Sequence, residues 1–201
     1  NLWVLGSNVK FFVDHNVKGL FEQGAYQSYG SEMAELRAWV LAKLLWDPAR
    51  DSQALIDEFV AGYYGAAGPS IKNYLNITHD AVEAGGDWLG CFSPHTANFL
   101  SFETLSKGWK QLKAAEAAAT DPDVRFRVQV AQLPVMYVFM LRWDELRKAC
   151  EEGNAEWPMP ETIQTCYEQF RQVADKDNVT RLSEGQAGFG ALEKAVERAK
   201  Q

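Results

Sequence analysis

Over most of this chain the apolar residues recur at the three- and four-residue spacing of amphipathic helices, and the main departure lies near its start. From Ser7 to His15, the positions Val9, Phe12 and Val13 mark a short helix that His15-Asn16 stops. The run Val17-Lys18-Gly19-Leu20-Phe21-Glu22-Gln23-Gly24 then reads as a short strand, Val17 to Glu22, with a carboxylate at its end, and a polar loop from Ala25 to Gly30 follows. A helix-then-strand step is half of a βαβ unit and needs further parallel strands to pair with. No second strand pattern follows it.

Downstream the signal is helical. Ser31 is a candidate N-cap for a helix carrying Met33, Leu36, Val40, Leu41, Leu44 and Leu45, and Asp47-Pro48 ends it because the residue before proline is pushed out of the α region. Asp51 or Ser52 caps the next helix, striped by Leu55, Ile56, Phe59, Val60, Tyr63 and Tyr64, with Gly65 as its stop. A third runs from about Ser70 to Glu83 and closes at Gly85-Gly86. Residues 87–98 hold Trp88, Cys91, Phe92, Pro94 and His95 without helical period and read as an ordered loop, either a lid over a pocket or a packed surface loop.

Helical spacing resumes with Phe102, Leu105, Trp109 and Leu112 and runs into an Ala-rich end. Asp121-Pro122 starts a long helix that carries Val128, Ala131, Val135, Val138, Phe139, Arg142 and Leu146 at helical spacing, and Pro134 inside it predicts a kink. Ile163, Tyr167, Phe170 and Val173 mark another helix, Lys176 to Gly188 reads as a polar, linker-like loop, and Phe189 to Ala199 is a last short helix. The fold expected is mainly α. A bundle of about six to seven helices over residues 31–201 follows one helix-strand unit in residues 1–30 that looks like the last step of a (β/α)8 barrel.

Composition narrows the function classes. The 201 residues suffice for about one domain, and 47% hydrophobic content supplies a core. Twenty basic against 27 acidic residues, the acidic ones dispersed, argue against a phosphate-backbone partner, so no nucleic acid is expected. The longest apolar stretch, Leu133 to Leu141, is too short for a bilayer. Cys91, Cys150 and Cys166 lack metal or disulfide spacing, and His15 and His79 have no ligand partner at metal spacing; neither metal nor cofactor is expected. With no initiator Met, the chain reads as a piece of a longer polypeptide.

Gly19-Leu-Phe-Glu-Gln-Gly24, Leu36-Arg37, Ala42-Lys-Leu-Leu-Trp-Asp-Pro48, Glu58-Phe59, Tyr63-Tyr-Gly65 and Tyr74 together resemble the C-terminal part of the bacterial proteins grouped as domain of unknown function 4838. Those proteins look like relatives of the α-glucuronidases of glycoside hydrolase family 67. The dense part of the resemblance covers about residues 9 to 75. It implies a (β/α)8 barrel whose last strand is Val17 to Glu22, a helical buttress, a carbohydrate substrate and a secreted or periplasmic parent. In that family the catalytic carboxylates come from earlier strands. The chain is then expected to need upstream barrel segments as partners and to be inactive alone, its catalytic residues lying outside it.

The substrate-contact candidates are Glu22, Gln23, Tyr26 and Tyr29. A carboxylate at the C-terminal end of a barrel strand faces the substrate, amide and phenol groups suit sugar hydroxyls, and aromatic faces suit sugar C–H faces. Each has a bland alternative: Glu22 as a structural carboxylate, the others as a packed loop. Trp39, Trp46, Tyr63, Tyr64 and Tyr74 lie on helical stripes and are expected in the core. The alternative function is a non-catalytic helical carbohydrate-binding or scaffold module.

Overall fold

A computed structural model describes residues 2–24, 28–86, 88–90, 93–183 and 188–199. Its α-helices are α1 (Leu5–Asp14), α2 (Ala34–Trp46), α3 (Ser52–Tyr64), α4 (Gly68–Gly85), α5 (Phe102–Ala118), α6 (Pro122–Leu141), α7 (Trp143–Glu152), α8 (Ile163–Lys176) and α9 (Gly190–Arg198). The mainly helical architecture thus follows the 3.6-residue pattern, and several caps are those the sequence marks. Asp51 accepts from the backbone N–H groups of Gln53 and Ala54 at 2.8 and 3.2 Å. Asp121 does the same for Asp123 and Val124 at 2.7 and 3.2 Å. Each satisfies donors that have no partner within the helix.

α1 ends in a Schellman motif. Asn16 adopts φ 58°, its N–H donates to Val13 O, and the N–H of Val17 donates to Phe12 O. The strand expected over Val17 to Glu22 does not form: residues 18–24 carry no regular structure and are exposed. A strand is defined by ladder partners, and among the described residues the only β feature is an isolated bridge between Arg181 and Gly188.

Three other expectations change. The cap position of α2 belongs to Met33, in a left-handed conformation with φ 48°, not to Ser31. The long helix stops at Arg142 (φ −117°, ψ 30°), where α7 begins as a separate element. Its guanidinium donates to Leu100 O at 2.6 Å and to both oxygens of Glu145, which fastens the break to the loop before α5. Trp46, expected in the core, is 91% exposed. Leu36, Val40 and Leu44 form the buried stripe of α2, and Trp46, two residues past Leu44, points about 200° around the helix from it.

One hydrophobic cluster runs through the molecule. It joins Leu2, Leu5 and Val9 at the start to Leu36 and Val40 of α2, Ile56 of α3, Leu112 of α5, Phe139 of α6, Phe170 of α8 and Leu192 of α9. The loop expected over Lys176 to Gly188 contributes Val179 to it. Cys150 and Cys166 are buried free thiols, and burial pushes Cys166 up to about 12; Cys91 lies outside the described residues. No helix is long and apolar enough to cross a membrane among the described residues.

Candidate functional site

The chain segment from Ser28 to Met33 is fixed from several sides. Ser28 Oγ accepts from the backbone N–H of Thr180 at 2.7 Å. Gly30, at φ 77°, lies so close to this segment that a Cβ there would sit 2.7 Å from Val179 Cγ2, so glycine answers both the conformation and the contact. Met33 is buried in its left-handed conformation, and the Tyr64 hydroxyl donates to its sulfur at 3.7 Å. A non-glycine residue held there costs on the order of 1–3 kcal/mol and persists only where its surroundings over-determine it.

Glu32 is the hub of this segment. Its carboxylate accepts from the Tyr74 hydroxyl at 2.6 Å, and its backbone carbonyl accepts from the Arg37 guanidinium. Burial first, and then the Glu32 charge, raise the Tyr74 hydroxyl well above its ordinary value, so it remains a donor. Glu32 borders three hollows.

The first hollow, about 260 Å³, is lined by Glu35, Tyr63, Asp123, Phe126, Arg127 and Asp177. Arg127 donates to Tyr63 O at 2.8 Å and its guanidinium lies 4.4 Å from the centre of the Tyr63 ring. Partial burial, and then the charge of Glu35, raise the Asp177 carboxyl, and burial followed by Glu35 raises the Tyr63 hydroxyl. Carboxylates and a phenol facing one space are hydrogen-bond partners for a polyhydroxylated molecule. No group of three metal-ligating side chains occurs among the described residues.

The second hollow, about 180 Å³, holds Ser28, Tyr29, Pro134, Tyr137 and Arg181. The third, about 450 Å³, is walled by Trp3, Leu75, His79, Trp88 and Phe99, with Arg37 among its polar groups. His79 Nε2 accepts from the backbone N–H of Leu2 at 3.3 Å while Nδ1 lies 2.8 Å from Leu75 O, which assigns the proton to Nδ1. Burial lowers the His79 pKa, and Trp3 covers the ring at 4.4 Å.

Among the described residues expected to touch substrate, Tyr29 is the one that lines one of these three hollows. Glu22 and Gln23 stand exposed on the irregular stretch, and Tyr26 lies outside the described residues. Trp88 is 88% exposed at the edge of the third hollow, Phe92 lies outside the described residues, and His95 offers its backbone carbonyl to Arg142 at 3.4 Å. Sequence reasoning missed Glu32, Glu35, Arg127, Asp177 and Arg181. Glu32 and Glu35 could have been suspected from their place at the head of α2; nothing local marks the others, which reach the site from far along the chain.

No curated protein and no solved structure matches this chain significantly. Residues 1–76 match the family model described as Domain of unknown function (DUF4838), and that stretch carries Glu32, Met33, Glu35, Tyr63 and Tyr74.

Proposed function

We propose that this chain is the helical C-terminal part of a carbohydrate-active protein similar to the α-glucuronidases of glycoside hydrolase family 67. In this reading residues 17–24 pair as the last strand of a barrel whose other strands lie outside the sequence, and the segment Ser28–Met33 forms part of the rim of the sugar site. The observation that carries it is the exposed apolar stretch itself. Val17, Leu20 and, at 87% exposure, Phe21 stand in solvent beside a segment that is otherwise fastened at both backbone and side chain. An apolar surface of this kind marks a place where another part of a protein sits.

The test compares the chain alone with a longer polypeptide that includes its upstream coding sequence. The longer protein is expected to hydrolyse an aryl glucuronide or another aryl glycoside, to lose rate on Glu22→Gln, and to protect the amides of residues 18–22 from exchange. The chain alone is expected to be inactive. Hydrolysis by the chain alone, or a longer protein without strand protection, defeats the reading.

The burial of Leu2, Leu5 and Val9 in the same core as the other helices favours a second reading, a self-standing helical module that binds carbohydrate without catalysis. It expects saturable glycan binding by the chain alone, unchanged when residues 18–23 are replaced by a Gly/Ser linker.

A further inference from the structure

The helical stretch that opens the chain is held at its head by a residue 77 positions away. The first N–H groups of a helix have no partner inside it, and no side chain caps α1. The N–H of Leu2 instead donates to Nε2 of His79 at 3.3 Å, while Nδ1–H of the same ring donates to Leu75 O at 2.8 Å. Trp3 covers the imidazole at 4.4 Å between ring centres, and Leu2, Trp3 and Val4 form one wall of the third hollow. A single imidazole thus holds a backbone group, an indole and a wall.

Only the neutral ring can make this arrangement. Neutral imidazole offers one donor and one acceptor, and both are used here; the imidazolium offers two donors. A proton on Nε2 faces the Leu2 N–H, donor against donor, so the bond is lost and both groups are left without an acceptor. The charges around the ring are few. Glu32, Arg37 and Glu83 line the same hollow, and Asp80 follows His79 on α4. Glu32 is engaged by Tyr74 and, through its carbonyl, by Arg37. On the helices packed along α4, Asp57 of α3 pairs with Lys72, and Glu103 of α5 pairs with Lys107. Residues 2–9 carry no ionisable side chain, and Lys10 pairs with Asp14. Burial opposes the proton and outweighs the pull of Glu32 and Asp80.

We propose that His79 is an acid-released latch: protonation at Nε2 frees Leu2 to Val4 from α4 and opens the third hollow, while Leu5 and Val9 keep α1 in the core. The latch belongs to the bundle itself and needs neither the barrel nor a sugar.

NMR of the intact chain tests this from about pH 8 to about pH 5, the span in which histidines titrate. The amino terminus is acetylated, because its charge also opposes the proton on His79. The Leu2 amide and the Trp3 indole N–H are expected to shift with the midpoint of the His79 ring protons. Exchange of the Leu2 amide, corrected for its intrinsic pH dependence, should rise about tenfold for each pKa unit by which the closed latch lowers His79. The amides of Leu36 and Ile56, both in the core, should stay protected. In His79→Gln, whose uncharged amide oxygen can accept from Leu2 at any pH, the Leu2 and Trp3 signals should not move. A Trp3 signal that stays still while His79 titrates, loss of protection at Leu36 and Ile56 together with Leu2, or the same pH-dependent shifts in His79→Gln would each overturn the proposal.

Discussion

The backbone N–H of Thr180 donates to Ser28 Oγ across 152 positions of sequence. This bond ties the segment entering α2 to the segment leaving α8, and Gly30 against Val179 closes the same contact. The first and second hollows are each bordered by residues of these two segments.

Ser28→Ala removes the acceptor. The expected cost is about 1 kcal/mol, the usual net worth of one hydrogen bond, with faster amide exchange at Thr180. An unchanged exchange rate there shows that the apolar contacts of Val179 alone hold the two segments.

Glu116 supplies a second, independent expectation. Its partial burial alone raises its pKa, but Gln132, Lys113 and Gln129 hydrogen-bond the carboxylate and hold it down at about 2. The folded value lies below the unfolded value of about 4.3, so its contribution is complete above that pH and is lost as the pH falls toward 2. Gln132→Leu takes away a buried partner and should cost about 1–3 kcal/mol at neutral pH. Its unfolding free energy should also fall less steeply than the parent's between pH 4.5 and pH 2, as urea titrations at several pH values can read.

His79 behaves in the opposite sense to a histidine that gains a carboxylate partner. Burial lowers its pKa from 6.5 in spite of the Leu75 carbonyl, so the folded state takes up the proton less readily than the unfolded chain. Stability is complete above pH 6.5 and declines as the pH drops below it. His79→Gln should flatten the melting-temperature profile in that range, and a profile of unchanged slope assigns the decline to other groups.

Phe21→Ser tests the exposed stretch. Since Phe21 makes no core contact, the melting temperature should stay within the change expected for a surface substitution, about 0.5 kcal/mol. Self-association measured by sedimentation should decrease. A large loss of stability places Phe21 in the core and removes the support for a partner on this surface.

Helices α3, α4 and α5 were legible in the sequence because their apolar stripes are local, spaced within one or two turns. The break at Arg142 was not, because apolar spacing continues through Val138, Phe139 and Leu146 and only the distant Leu100 carbonyl reveals the turn. Val17 to Glu22 has the composition of a strand, yet composition cannot supply a ladder. The hollows were hidden for a related reason: Glu32 meets Tyr74 across 42 positions, and Tyr29 shares a space with Arg181 from the far end of the chain. The residues chosen from sequence follow one another along one segment, whereas those lining the hollows are neighbours only after folding.

The Schellman turn at Asn16 and the Ser28–Thr180 bond hold the chain to the bundle on either side of the exposed residues 17–24. Because the entropic cost of closing a loop grows only logarithmically with its length, doubling a loop adds about 0.6 kcal/mol. The bundle therefore tolerates wide variation in what is threaded between those points, which makes this span a natural place to graft a reporter peptide or a small domain without retuning the core.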